Sequence, residues 1–188
     1  MDMTVSTSRQ EEEAPDAEDF LLWTLVWSEL AAFGILLVAF MVAGIVQPNQ
    51  FAAARQHLNA PLAALNTAVL LTSGWQAARA ARPGASRGEA RLALVLAVLL
   101  GFLFVAIKLF EYGGEIGHAG DEGYGVFFEL YFLLTGFHLL HVLFGAQVLL
   151  LVAWRMERSN VILITTLWHV FDLIWIVMFP IVYVAWPA

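Results

Sequence analysis

The sequence predicts an all-α fold, an integral membrane bundle of five transmembrane helices with an N-in, C-out orientation. Three observations predict it. Of 188 residues, 61% are hydrophobic and the mean hydropathy is +0.76, whereas a soluble domain is about half apolar. The excess is gathered into long uncharged runs, and a helix needs about 20 apolar residues to cross a hydrocarbon core of roughly 30 Å. The basic residues are asymmetric: with the N-terminus inside, Arg9, Arg79, Arg82, Arg87, Arg91, Arg155 and Arg158 fall on the cytoplasmic side, leaving Arg55 and Lys108 toward the other. Basic residues are retained on the cytoplasmic side, and acidic ones do not enter that count.

Residues 1–19 precede the first apolar run. Asp2, Glu11, Glu12, Glu13, Asp16, Glu18 and Asp19 against Arg9 account for −6 of the formal net charge of −7. The segment lacks the basic start and small-residue cleavage site of a secretory signal. It reads as an acidic, disordered cytoplasmic tail kept in water by its charge. The remainder, residues 20–188, is one membrane domain. Its charge is nearly balanced, which excludes a basic nucleic-acid binder. The chain has no cysteine, which excludes disulfides, thiolate zinc sites and iron–sulfur clusters.

The five expected spans cover residues 20–46, 62–78, 92–110, 126–153 and 161–184. Between them lie QPNQ from Gln47, ARPGASRGEAR from Ala81, the glycine-rich GGEIGHAGDEGYG from Gly113, and RMERSN from Arg155. These are turn-forming compositions. No run alternates with strand period, which argues against a barrel. Trp23, Trp27, Trp154 and Trp186 stand near span ends, where an interfacial aromatic belt belongs. Pro180, inside the last span, removes one helix hydrogen bond and is expected to bend that helix.

Ionisable groups in the hydrocarbon are costly, so those that remain are functional candidates. They are Glu29 in the first span, His138 and His141 in the fourth, and His169 and Asp172 in the fifth, with Lys108, Glu111 and Glu129 nearer the outer ends. At a rise of about 1.5 Å per residue, Glu29, the two histidines of the fourth span and the His169–Asp172 pair reach similar depth in the inner half of the membrane. His138 and His141, like His169 and Asp172, are three residues apart and share a helix face. Asp172 is placed to accept from His169 and fix its tautomer. Lys108 is placed to pair with Glu111 or Glu129. The residue types leave three readings open. They bind helices together, aided by small residues such as Gly136 and Gly145. They ligate a haem or metal. Or they carry protons or ions through Glu29, as an independent proton-coupled carrier would.

Five stretches resemble subunit III of the haem–copper oxidases, over all five spans. WSELAAFG, starting at Trp27, resembles the family's helix with an intramembrane glutamate. LNTAVLLTSG from Leu65 resembles the next helix, and KLFEYGGEI from Lys108 the segment ending in Glu-Tyr. TGFHLLHVLFG from Thr135 and LWHVFDLIWIV from Leu167 are similar to its two most specific motifs. The long form has seven helices; the first two, which make one arm of a phospholipid-holding cleft, have no counterpart here. The resemblance is therefore to the short, five-helix form. FELYFLLTGFHLLHVL from Phe128 and IVMFPIVYV from Ile176 most resemble the branch that accompanies nitric oxide reductase.

The resemblance implies a non-catalytic subunit with no haem, metal or catalytic residue of its own. It would pack against a haem–copper-type catalytic subunit in the bacterial inner membrane, supporting assembly, lipid retention and sustained activity. It implies nitric oxide reductase, and hence denitrification, as the first partner system. The alternative is an oxidase that reduces oxygen and is fed by cytochrome c or quinol. Phospholipid is the one ligand it suggests, against Glu29, and His138, His141, His169 and Asp172 become contacts within the bundle.

Overall fold

The computed structural model describes residues 14–124 and 126–185. Six α-helices follow in order: α1 (Ala14–Val46), α2 (Pro48–Arg55), α3 (Ala60–Ala81), α4 (Arg87–Glu115), α5 (Phe127–Arg155) and α6 (Arg158–Tyr183). Two 3₁₀ turns, Ile116–His118 and Glu122–Tyr124, lie between α4 and α5. No strand occurs among the described residues. Four helices are long and apolar enough to cross a membrane: α1 from Leu22, α4, α5 and α6. α3, with 22 residues, has the length for a crossing of about 30 Å, but Asn66, Thr67, Thr72, Ser73 and Gln76 hold its apolarity below the other four.

Some boundaries differ from expectation. Helix α1 begins at Ala14, so residues 14–19 of the acidic segment are helical rather than disordered; residues 1–13 lie outside the described residues, as does Trp186. QPNQ opens α2 instead of serving as a plain linker, because Pro48 stands in its first turn with φ already set for a helix. Helix α6 continues through Pro180 to Tyr183, and the Pro180 carbonyl accepts from the backbone of both Val184 and Ala185.

Helix ends are fixed by identifiable groups. Asn59 Oδ1 accepts from Leu62 N at 3.0 Å and starts α3. Ser86 and Glu89 form a reciprocal capping box at α4, with bonds of 3.3 and 3.0 Å. C-terminal carbonyls, which a helix leaves unpaired, are taken by arginines. Arg158 reaches Ala81 O and Arg82 O past the end of α3, Arg91 reaches Ala153 O and Trp154 O of α5, and Arg55 reaches Tyr183 O and Val184 O of α6. Cations there also oppose the negative end of the helix dipole.

Helices α3, α4, α5 and α6 form a closed ring in which each packs on the next and α6 returns to α3. Helix α1 lies outside it against α5 and α6 and is the least buried of the four apolar spans. Glycines open the ring to one large side chain. Trp168, fully buried, seats its indole against Gly101 of α4 and Gly145 of α5, where an added Cβ would meet it at 2.9 and 3.1 Å. Small residues let helix backbones approach in this way.

Candidate functional site

Three polar sites sit within this frame. The first is at the α1–α5 seam. Glu29 Oε2 of α1 stands 3.0 Å from His141 Nε2 of α5, at ion-pair distance though not aligned as a well-formed hydrogen bond. Both side chains are largely buried, 15% and 20% exposed. His141 Nδ1 is 2.7 Å from Phe137 O. A carbonyl only accepts, so Nδ1 carries a hydrogen. That leaves Nε2 as the ring nitrogen that faces the Glu29 carboxyl group. Beside it runs a mostly apolar groove of about 380 Å³ walled by Leu25, Phe144, Val148, Leu163 and Leu167, with Glu29, His141 and Asn160 supplying its polar side chains.

His138, one turn earlier on α5, does something different. It is fully buried, stacked on Trp175 at 5.2 Å between centroids and edge-on to Phe33 and Phe104. Neither ring nitrogen meets a protein hydrogen-bond partner. The two histidines of TGFHLLHVLFG thus share a helix but not a site.

The second site joins α6 to α3. His169 Nδ1 lies 3.3 Å from Asp172 Oδ2, the contact expected from their spacing. Asp172 is buried and His169 about half exposed. The carboxylate presses on Gly74 of α3, where any Cβ would overlap Asp172 Oδ2. LNTAVLLTSG and LWHVFDLIWIV therefore meet in space at a glycine and an aspartate. Nearby, Trp175 Nε1 donates to Thr67 Oγ1 at 2.9 Å, and Asn66 Nδ2 donates to the Phe104 carbonyl at 3.2 Å.

The third site is at the other end of the ring. Lys108 is fully buried and donates to Glu111 Oε2 at 2.9 Å, Tyr131 OH at 2.7 Å and Tyr183 OH at 2.5 Å. Tyr183 OH in turn donates to Glu111 Oε1 at 2.8 Å. The ammonium also lies 4.7–5.6 Å from the ring centroids of Tyr112, Tyr131, Trp175 and Tyr183, a cation–π surround. Of the two carboxylates open to Lys108 in the sequence, it takes Glu111; Glu129 is exposed in the first turn of α5. Sequence reasoning missed Tyr131, Tyr183 and the buried Glu115. A signal was present: Lys108, Glu111 and Glu115 fall at i, i+3 and i+7, one helix face, but the glycines at 113 and 114 made that turn read as a linker.

Among the described residues no three His, Asp or Glu side chains converge as a metal centre would require. Glu29, Asp172 and Lys108 instead each engage a partner of the bundle, at the α1–α5 seam, on α6 against α3, and from α4 to α5 and α6, whereas the buried Glu115 carboxyl group meets no hydrogen-bond partner.

Comparison with known proteins agrees with the motifs that lie at these sites. The family model for cytochrome c oxidase subunit III matches residues 18–187. The chain is 30% identical over 138 residues to cytochrome c oxidase subunit 3 of Corynebacterium diphtheriae, covering 68% of this chain and 67% of that protein. It is 34% identical over 131 residues to the subunit 3 of Lycodon semicarinatus, covering 63% and 48%, and 31% identical over 173 residues to that of Paracentrotus lividus, covering 86% and 61%. The chain thus spans about half the length of several of the relatives it matches. With the motifs placed and most of its length matched, the chain belongs to the cytochrome c oxidase subunit III family.

Proposed function

We propose that this chain is a non-catalytic membrane subunit that packs against a haem–copper-type catalytic subunit, supporting its assembly, lipid retention and sustained turnover. The observation that carries the reading is the pairing of three of its intramembrane charges, Glu29, Asp172 and Lys108, inside the bundle. Glu29 meets His141, Asp172 meets His169, and Lys108 is spent on Glu111 and two tyrosines. Groups engaged in this way hold helices in register. Family membership supplies the partner class, since the matching relatives are named as a subunit of an oxidase.

In this reading the chain lies in the bacterial inner membrane with its N-terminus inside. α3 is the fifth crossing, because it runs alongside α4 and α6 over its length within the ring. The groove beside Glu29 and His141 receives a lipid acyl chain: its walls are almost wholly apolar, and the Glu29 and His141 side chains are turned toward each other at its edge. Nitric oxide reductase is the favoured partner, on the likeness of FELYFLLTGFHLLHVL and IVMFPIVYV to the branch that accompanies that enzyme. The names of the matching relatives favour the second reading, an oxidase that reduces oxygen.

Affinity capture of the full chain from its native membrane in mild detergent tests this. Recovery with a haem-bearing multi-helix subunit is the expected result, and that subunit's identity separates nitric oxide from oxygen as its substrate. Recovery of the chain alone, able to move protons in liposomes, would replace the proposal with an independent carrier.

A further inference from the structure

At the arginine-bearing end, the ring of α3 to α6 closes over a hollow of about 330 Å³ lined by α3, α4 and α6, with Ala85 from the α3–α4 connection and Met156 from the α5–α6 connection. Its floor is small and apolar: Ala80 of α3, Ala90 of α4 and Val161 of α6, all buried. Its rim carries two guanidinium groups, Arg87 from the first turn of α4 and Arg158 from the first turn of α6. No carboxylate lines it.

The neighbouring charges sharpen the imbalance. Residues 79–91 and 155–158 contain six arginines and two glutamates. Both glutamates are engaged elsewhere, Glu89 in the capping box with Ser86 and Glu157 with Asn160 Nδ2 at 2.7 Å. Arg158 uses one terminal nitrogen, Nη2, for the two carbonyls that end α3, at 3.0 and 2.9 Å. Arg87 makes a long contact of 3.4 Å with Arg155 O. A guanidinium has five N–H donors in a fixed fork, so most donors of both arginines remain for another acceptor. α4 and α6 also both begin here, adding the positive ends of two helix dipoles.

We propose that this hollow is a binding site for a phosphate-type oxyanion, held between Arg87 and Arg158 above the Ala80–Ala90–Val161 floor. Two guanidinium forks arriving from different helices suit a tetrahedral group with oxygens in more than one plane, and arginine is the side chain that recognises phosphate in this way. A planar carboxylate would occupy one fork and leave the other. The phosphate has two sources, a dissolved phosphate ion or the phosphodiester of an anionic lipid headgroup, which basic pockets between membrane helices bind. The site is independent of the identity of any partner subunit.

The test uses the full chain, purified in non-ionic detergent. The thermal midpoint is followed at constant ionic strength against inorganic phosphate or chloride, and in micelles doped with phosphatidylglycerol or phosphatidylcholine. Direct binding of phosphate is measured by equilibrium dialysis. A saturable rise with phosphate but not chloride assigns the site to the dissolved ion. A rise with phosphatidylglycerol alone assigns it to lipid. Arg87→Gln should weaken either effect on the order of tenfold, the worth of one charge-assisted hydrogen bond, and Arg87 is the better probe because its one long backbone contact holds little of the fold. Arg87→Lys should restore part of it. No difference between phosphate and chloride together with none between the two lipids would overturn the proposal, as would an effect undiminished in Arg87→Gln.

Discussion

Replacing Lys108 with methionine should be among the most damaging single substitutions in this chain. The ammonium is wholly buried and makes three hydrogen bonds, to Glu111, Tyr131 and Tyr183. Methionine fills most of the volume but leaves the Glu111 carboxylate with one donor, Tyr183 OH, where it had two. Breaking a buried ion pair from one side costs about 3–5 kcal/mol, because the remaining charge is uncompensated. Removing both charges is far cheaper: in Lys108→Met with Glu111→Gln, the glutamine oxygen still accepts from Tyr183 and no charge is stranded. The double variant should therefore recover more than half of the loss, a coupling of about 2 kcal/mol or more. The assay is thermal unfolding of the purified chain in detergent, with size-exclusion profiles to check the fold, for wild type, both single variants and the double variant. Equal destabilisation by the single and double variants would refute the reasoning, since it would make Lys108 a packing group whose charge is not coupled to Glu111.

Other outcomes follow from the same contacts. Gly101→Ala pushes a methyl group into the Trp168 ring, at 2.9 Å, and Gly145→Ala pushes one into Phe171 and Trp168 together, at 3.0 and 3.1 Å; overpacking of this kind costs about 1–3 kcal/mol, and Trp168→Phe in the same chain should relieve the loss at Gly101 more than that at Gly145, as unfolding midpoints will tell. His141→Leu leaves Glu29 without its counterpart across the α1–α5 seam, so α1 should loosen and the chain should be retained less well with its partner in detergent; unchanged retention would remove His141 from the contact set. Glu29→Gln keeps the shape of that seam, so the assembled complex should form normally but lose activity sooner during prolonged turnover. Turnover lifetimes equal to wild type would end the role given to Glu29.

Much of the fold was legible because hydrocarbon imposes a simple rule on composition. Each of the five apolar runs became a helix, with ends within about three residues of those expected except at the start of α1 and at both ends of α4, which takes in Arg87–Arg91 and Gly113–Glu115 from the expected linkers. Helix α2 escaped because eight residues with a mixed composition carry no strong period. Spacing alone paired His169 with Asp172, and depth alone brought His141 to the level of Glu29. Depth could not separate His138 from His141. At about 100° per residue they stand only about 60° apart around the helix axis, and Phe33 of α1 touches both rings, yet His138 turns toward Trp175 and Phe104 and His141 toward Glu29. Nor could sequence choose Glu111 over Glu129 for Lys108, a choice made by the rotation of α5, which turns Tyr131 inward and leaves Glu129 outside. The arginine caps were invisible for the same reason: basic residues counted for orientation turned out to hold helix ends that lie far apart in the chain.

The most direct measurement is to strip this chain from its captured complex with a harsher detergent and ask where the haem and the initial activity go. Both should stay with the partner subunit, whose turnover then decays faster than in the intact complex. Haem leaving with the stripped chain, or initial activity vanishing with it and returning only on re-addition, would contradict a non-catalytic role.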